Sequence, residues 1–195
     1  MVDQLSKREV LVSKLIVEVE TSLDGVIGGD PAAFWGQIFR FHSADVQSYL
    51  DELLFMPDAL VMGRQTYEGF AHVWPTRQGK MADQINTMPK HVASRTLKAP
   101  LQWGATLIEG DGAEGIARLK KERETTLLQY GVGELTRGLL ERGLVDEVRM
   151  LVFPFAAGEG PRVFEHMGIN GFKLLDTKTF ASGAVAHRYQ PEKTA

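Results

Sequence analysis

Thr126-Leu127-Leu128-Gln129-Tyr130-Gly131-Val132-Gly133-Glu134-Leu135 runs an apolar stretch straight into a glycine-spaced turn. The residues that follow, Leu135 to Arg142, read as helix and stop at Gly143, a glycine suited to the position just past a helix end. Glycine lets a backbone turn sharply and approach a ligand closely. A strand, such a turn and a helix start together form an anion site, because unpaired amides and the helix dipole point at one spot. The same pattern also serves as a plain tight connection, and alone it does not choose between the two.

Two more turns of this kind follow short apolar strands. Ala59-Leu60-Val61-Met62 leads into Gly63-Arg64-Gln65-Thr66-Tyr67, and His91-Val92-Ala93 leads into Ser94-Arg95-Thr96. Gly63 permits close approach, Arg64 and Arg95 offer planar forks suited to phosphate, and Thr66 offers a hydroxyl at a helix start. A solvated surface arginine is the competing reading for each guanidinium. Three strand ends of this composition point to one crevice at the carboxyl ends of a largely parallel sheet.

Met62-Gly63-Arg64-Gln65-Thr66-Tyr67-Glu68-Gly69-Phe70 resembles the cofactor-binding turn of the dihydrofolate reductase fold, and Ser94-Arg95-Thr96-Leu97 resembles its next strand end. Tyr130 to Leu135, Gly143 to Val148, Phe153-Pro154 and Gly158-Glu159-Gly160 are similar to the C-terminal reductase domain of riboflavin biosynthesis, as is Ser22-Leu23-Asp24-Gly25. The resemblance runs from about Leu11 to about Tyr189. It implies an α/β three-layer sandwich of the dihydrofolate reductase type, NADPH as cofactor and a homodimer. It further implies hydride transfer to a small heterocyclic or ribosylamino-pyrimidine substrate, as in 5-amino-6-(5-phosphoribosylamino)uracil reductases. The cofactor residues it implies are Gly63, Arg64, Thr66, Ser94, Arg95, Thr96, Gly131, Val132, Gly133, Glu134 and Leu135. Two arginines near one phosphate favour NADPH over NADH. A non-catalytic nucleotide-binding module on the same fold is the alternative, and a flavin in the crevice is a third.

The chain of 195 residues, 44% apolar, suits one domain with a real core, here residues 1–195 with the core at about 11–189. Twenty-two basic against 25 acidic residues argue against a nucleic-acid binder. With no cysteine, disulfides and thiolate metal sites are excluded. The first ten residues lack the apolar stretch of a signal peptide, and no apolar run has the ~18 residues of a membrane span. The expectation is a cytoplasmic protein without a membrane partner.

Leu11 to Glu20 reads as a strand and Thr21 to Asp30 as a loop. Ser43 is placed to cap a helix whose apolar face is Val46, Tyr49, Leu50, Leu53 and Leu54. Met81, Ile85 and Met88 mark a further helix before Pro89. Asp111 and Glu114 form a capping pair for one through Ile116 and Leu119, whose Lys120 to Glu124 stretch reads as a solvated face. Val148 to Phe153 is a strand, and Lys173 to Phe180 with Ala184 to Tyr189 forms a hairpin turned at Ser182-Gly183. Alternation of strands and helices closed by a hairpin gives a mixed, mostly parallel sheet.

Asp24 is the one candidate for the chemistry itself; an Asp-Gly pair also forms turns without any such role. The related dihydrofolate reductases carry a carboxylate on the first helix, but the matching spacing lands on Gln47, with Asp45 and Asp51 nearby. Tyr130 stands where the riboflavin reductases often carry glutamate, and a phenol does not replace a carboxylate acceptor. Trp35 and Trp74 are flat surfaces for a heterocycle or for the core. Asp146-Glu147 reads as structural. Five histidines without ligand spacing leave no metal site expected.

Overall fold

The computed structural model describes residues 13–122, 125–168 and 171–192. Leu11, Val12, Arg123 and Glu124, to which two of the readings above extend, lie outside them.

Eight strands form one sheet in the order β4-β3-β2-β5-β1-β6-β8-β7. They are β1 (Lys14–Ser22), β2 (Ala59–Gly63), β3 (Lys90–Ala93), β4 (Ala105–Ile108), β5 (Thr126–Tyr130), β6 (Glu147–Phe153), β7 (Phe172–Thr179) and β8 (Val185–Pro191). The first six in spatial order pair in parallel. β8 pairs antiparallel with β6 and with β7, which closes the sheet as a C-terminal hairpin. The expected α/β sandwich with a mostly parallel sheet is therefore what forms.

The helices are α1 (Pro31–Arg40), α2 (Ala44–Phe55), α3 (Arg64–Val73), α4 (Lys80–Thr87), α5 (Gly112–Glu122) and α6 (Glu134–Glu141). Strand residues alternate between two layers of core. Leu15, Val17, Ala59, Val61 and Leu127 face α5 and α6, meeting Ile116, Leu139 and Leu140. Ile16, Leu60, Met62 and Leu128 face the other way, onto Leu53, Leu54, Tyr67 and Ile85. That period-two alternation in central strands, apolar on both sides, is what a sheet buried on both faces requires.

Three local readings differ from the structure. α1 forms where the sequence offered only the end of a loop. Asp30 accepts from the Ala33 amide at 2.8 Å and Pro31 opens the first turn, so both start signals were present. Ser43 occupies the cap of α2 without capping it; its hydroxyl donates to Asp45. Lys120 is not part of a solvated face. Its ammonium donates to Leu144 O at 2.8 Å and to Asp146, whose Oδ2 also accepts from Leu15 N at 2.7 Å, so Asp146 is structural as read.

α5 lies very close to the sheet at Gly115, where a Cβ would overlap Ile108 Cγ2, a β-branched core residue whose χ1 is stiff. Gly69 in α3 has open space at the same position. Gly115→Ala should therefore cost about 1–3 kcal/mol through overpacking, whereas Gly69→Ala should stabilise by about 0.5–1 kcal/mol through helix propensity. Denaturant unfolding of both variants checks this, and equal effects would contradict the packing described.

Candidate functional site

β2, β3 and β5 are neighbours and run in one direction, so their carboxyl ends deliver three turns to one edge of the sheet. Gly131 takes φ +78°, a conformation glycine adopts freely, and donates its amide to Glu18 O at 2.8 Å. A Cβ there would stand 3.3 Å from Thr66 Oγ1. Thr66 in turn donates to Tyr130 O at 3.5 Å. Arg95 Nη2 donates to Glu134 Oε2 at 3.0 Å, which joins the β3 turn to the start of α6. Ser94 Oγ folds that turn by accepting the amides of Thr96 and Leu97 at 3.1 and 3.0 Å.

The individual residues do different things. Arg64 forks onto Glu68 one turn along α3 at 3.3 Å, a surface pair of little stability that a phosphate can displace. At Gly63 and Gly133 a Cβ would meet nothing within 4 Å, so the turn is open on its outer side. Val132 and Leu135 pack their side chains against the α5–α6 core, leaving only their backbones to the crevice. The first-turn amides of α6 have no carbonyl inside the helix to pair with. Those amides, Thr66 and the two guanidinium groups are the donors that suit an extended dianionic ligand.

Two residues beneath the turn escaped the sequence reading. Gln129 Nε2 donates to Thr136 Oγ1 at 2.6 Å and to Gly131 O at 2.9 Å, and the Gly133 amide donates to the same hydroxyl at 3.2 Å. Both side chains are buried, so this network fixes the turn from below. A polar residue closing an apolar strand and a threonine three residues past Gly133 were the available signals.

Asp24 is committed to the backbone. Its carboxylate accepts from Ser22 Oγ at 2.7 Å, Ala157 N at 2.9 Å and Gly158 N at 2.8 Å, which hold it well below the usual carboxylate range. Arg162 donates to Asp24 O, and Val26 and Arg162 form an antiparallel bridge. The loop after β1 and the loop after β6 are thereby sewn into one wall. Gly160 is indispensable to it: a Cβ would stand 2.8 Å from Val26 Cγ1 and would overlap Gly28 O. The turn-forming reading of Asp24 accounts for all of these contacts.

The sheet face under α1 and α2 carries an acidic pair that the sequence reading also passed over. Glu18 and Glu20 alternate with Val17 and Val19 and so share one face of β1. Register sets Glu18 between Tyr130 of β5 and Arg149 of β6. Glu18 is 2% exposed, and its Oε1 has no hydrogen-bond partner. Glu20 Oε1 lies 3.8 Å from His42 Nε2, with the Glu20 side chain 15% exposed. Burial raises both carboxyls, Glu20 to about 7 and Glu18 well above its ordinary value, the latter helped by the charge of Glu20 and opposed by that of Arg149. Burial also holds the His42 imidazole below its ordinary value and keeps the Tyr130 phenol protonated.

The remaining candidates are occupied elsewhere. Asp45 Oδ2 accepts from Ala181 N at 2.8 Å and pins the β7–β8 hairpin to α2. Gln47 Nε2 donates to Asp51 on the surface of the same helix at 2.9 Å. Trp35 makes edge contact with Phe34 at 5.4 Å, and Trp74 does so with Phe70 at 5.9 Å. Among the described residues no group of three histidine or acidic side chains is arranged to hold a metal, and no helix is long and apolar enough to cross a membrane. A separate cleft of about 440 Å³ lies at the amino-terminal half of β1, between α2 and the β6–β8–β7 strands. Its charges are largely spent on each other, since Glu147 accepts from Arg149 at 2.5 Å and from Arg188 at 2.8 Å. The converging turns lie at the opposite end of the sheet from it.

The family model described as the RibD C-terminal domain matches residues 13–186. Uncharacterized protein YyaP of Bacillus subtilis strain 168 is 26% identical over 179 residues, covering 88% of this chain and 92% of that one. A solved protein assigned to riboflavin biosynthesis, from Shewanella sp. PV-4, superimposes with a TM-score of 0.72 at 22% identity, over 92% of this chain and 99% of that one. Dihydrofolate reductase from Enterococcus faecalis, solved with NADP(H), gives a TM-score of 0.62 at 15% identity, over 92% and 97% of the two chains. The fold is thus of the dihydrofolate reductase type.

A carboxyl raised by folding binds its proton more tightly in the folded state. Its contribution to stability is complete below the unfolded value of about 4.3 and is lost as pH climbs through the folded one. With Glu20 raised to about 7 and Glu18 raised as well, the melting temperature should fall as pH rises from about 5 to 8. Glu20→Gln should flatten that fall. A wild-type curve that is level across the window, or an unchanged slope in the variant, would contradict the placement of these acids.

Proposed function

We propose that this chain, which belongs to the RibD C-terminal domain family, is an NADPH-dependent reductase acting on a small nitrogen heterocycle or ribosylamino-pyrimidine. The observation that carries this reading is the meeting of Thr66 with Gly131 and of Arg95 with Glu134 at one sheet edge. The pyrophosphate would rest on the backbone of Gly131 to Leu135, with Thr66 beside it. The ribose phosphate would take Arg64 and the Ser94-Arg95-Thr96 turn. Bound there, the dinucleotide supplies the hydride. The chain's own part is to orient an acceptor over β1 and to keep water out. The wall made by Asp24, Gly158 and Arg162 gives the crevice one fixed side.

A homodimer belongs to the same proposal. β7 is the outermost strand, and Leu174 and Leu175 both stand exposed on it. An open strand with apolar residues is a surface that a second copy can cover.

Calorimetric titration with NADPH and NADH tests the cofactor. NADPH should bind, and Arg95→Ala and Arg64→Ala should each weaken NADPH about tenfold while changing NADH little, as expected for loss of a charge-assisted phosphate contact. No binding of NADPH at millimolar concentration, or equal losses for both nucleotides, overturns the assignment. Oxidation of NADPH in the presence of pterins or aminopyrimidines separates a reductase from a module that only binds nucleotide. Sedimentation velocity should show a dimer that Leu174→Asp dissociates; a monomeric wild type would remove that part.

A further inference from the structure

The buried acids of β1 lie outside the three turns assigned to the dinucleotide. A carboxylate taken out of water without a cation costs several kcal/mol, so such groups persist where something repays the cost. Four elements bring titratable or charged groups to the pair. β5 contributes Tyr130 and β6 contributes Arg149 on either side of Glu18. Arg149 donates from Nε to Glu147 at 2.5 Å, and its charge favours an ionised Glu18 only in part, without an ion pair between them. α2 contributes Tyr49, whose buried hydroxyl has no partner. The α1–α2 link contributes His42, stacked on Phe153 at 5.6 Å. Among the described residues no lysine or arginine forms an ion pair with Glu18 or Glu20.

The arrangement is graded from floor to mouth. Glu18 lies fully buried with one oxygen unpaired, while Glu20, Tyr130 and His42 each keep some surface in solvent. Phe70 stands 5.4 Å from the Tyr130 ring. Tyr130 directly precedes the glycine turn and is paired in register with Glu18, so the acids lie on the strand beside that turn. A flat ring can lie along the Tyr130 and Phe70 side, and a positive or doubly N–H-donating group on that ring can reach the two carboxyls.

We propose that Glu18 and Glu20 form the anchor for the acceptor, taking a planar cationic or amidine-type nitrogen group through Glu20 at the mouth and Glu18 beneath it. This rests on the reading of the crevice as the substrate side of a nucleotide site. The free pair holds a proton near neutrality, because two carboxyls so close and so buried cannot both ionise without a cation. A cationic ligand expels that proton and takes its place. Tyr130 remains protonated beside the pair, and the expelled proton passes to solvent.

Benzamidine, a flat amidinium, is the probe, and benzamide is its neutral isostere. Calorimetry on the whole chain should show benzamidine binding at least tenfold more tightly than benzamide. Its affinity should rise about fivefold or more between pH 6 and 8.5, with protons released at pH 6, read from two buffers of different ionisation heat. Glu20→Gln should weaken benzamidine at least tenfold and reduce the pH dependence, and Glu18→Gln should act in the same direction. Glu52→Gln, in the separate cleft near the start of β1, should change nothing. Thermal unfolding of each variant reports whether it is folded, and the benzamide and proton-release arms need no variant at all. Equal binding of the two probes, absence of proton release, an unaffected Glu20→Gln or a loss in Glu52→Gln overturns the anchor. If NADPH binds and benzamidine does not, the anchor falls alone. If benzamidine behaves as expected while NADPH fails to bind, the anchor stands and the reductase reading falls.

Discussion

The parallel pairing of β5 with both β1 and β2 is the constraint on which the rest of the structure depends. It sends the carboxyl ends of β2, β5 and β3 to one edge, where three unrelated turns must share space. The Gly131 amide is held by the carbonyl of Glu18, so the glycine turn cannot move without the central strand. The Gln129–Thr136 hydrogen bond locks the same turn from the opposite face. What looks like a flexible glycine loop is over-determined by buried bonds, and a preformed cradle of this kind spares a ligand the cost of ordering it.

The two faces of the sheet divide the labour. Beneath α5 and α6 the centre of the sheet packs as an apolar layer of Leu15, Val17, Val61, Leu127 and Val148, with Gln129 and Thr136 supporting the glycine turn beside it. Beneath α1 and α2 the central strands carry Glu18, Glu20, Tyr130, Glu147 and Arg149. Within that face the charges sort along β1. Near its start Glu147 is satisfied by Arg149 and Arg188, which outweigh its burial and hold it below the ordinary carboxylate value. Toward its end Glu18 and Glu20 are not satisfied and are pushed the other way. The opposite shifts on neighbouring acids of one sheet face follow from the presence of arginine partners at one end of β1 and, among the described residues, their absence at the other.

The sheet and its order of elements were legible because strand patterns depend on local alternation, which survives without knowledge of partners. The three turns were legible for the same reason: glycine, arginine and hydroxyl residues stand immediately after apolar runs. α1 was missed although Asp30 and Pro31 announced it, because only Phe34 and Ile38 of its apolar residues turn inward and the others stay exposed. Glu18 and Glu20 were missed for a different reason. In a strand an acid every second residue reads as a solvated face, and only the helices laid over β1 turn that face inward. Asp24 was legible as a turn but not as a clamp, since Ala157 and Gly158 reach it from far along the chain.

β1 is the earliest described strand, yet it ends between β5 and β6, whose first residues are Thr126 and Glu147. During synthesis its apolar and acidic faces must therefore wait, unpaired, until most of the polypeptide has left the ribosome. Such non-local closure slows folding and leaves an adhesive segment exposed meanwhile. The two glutamates give that waiting segment charge, and so guard it against sticking to other nascent chains before the helices cover it.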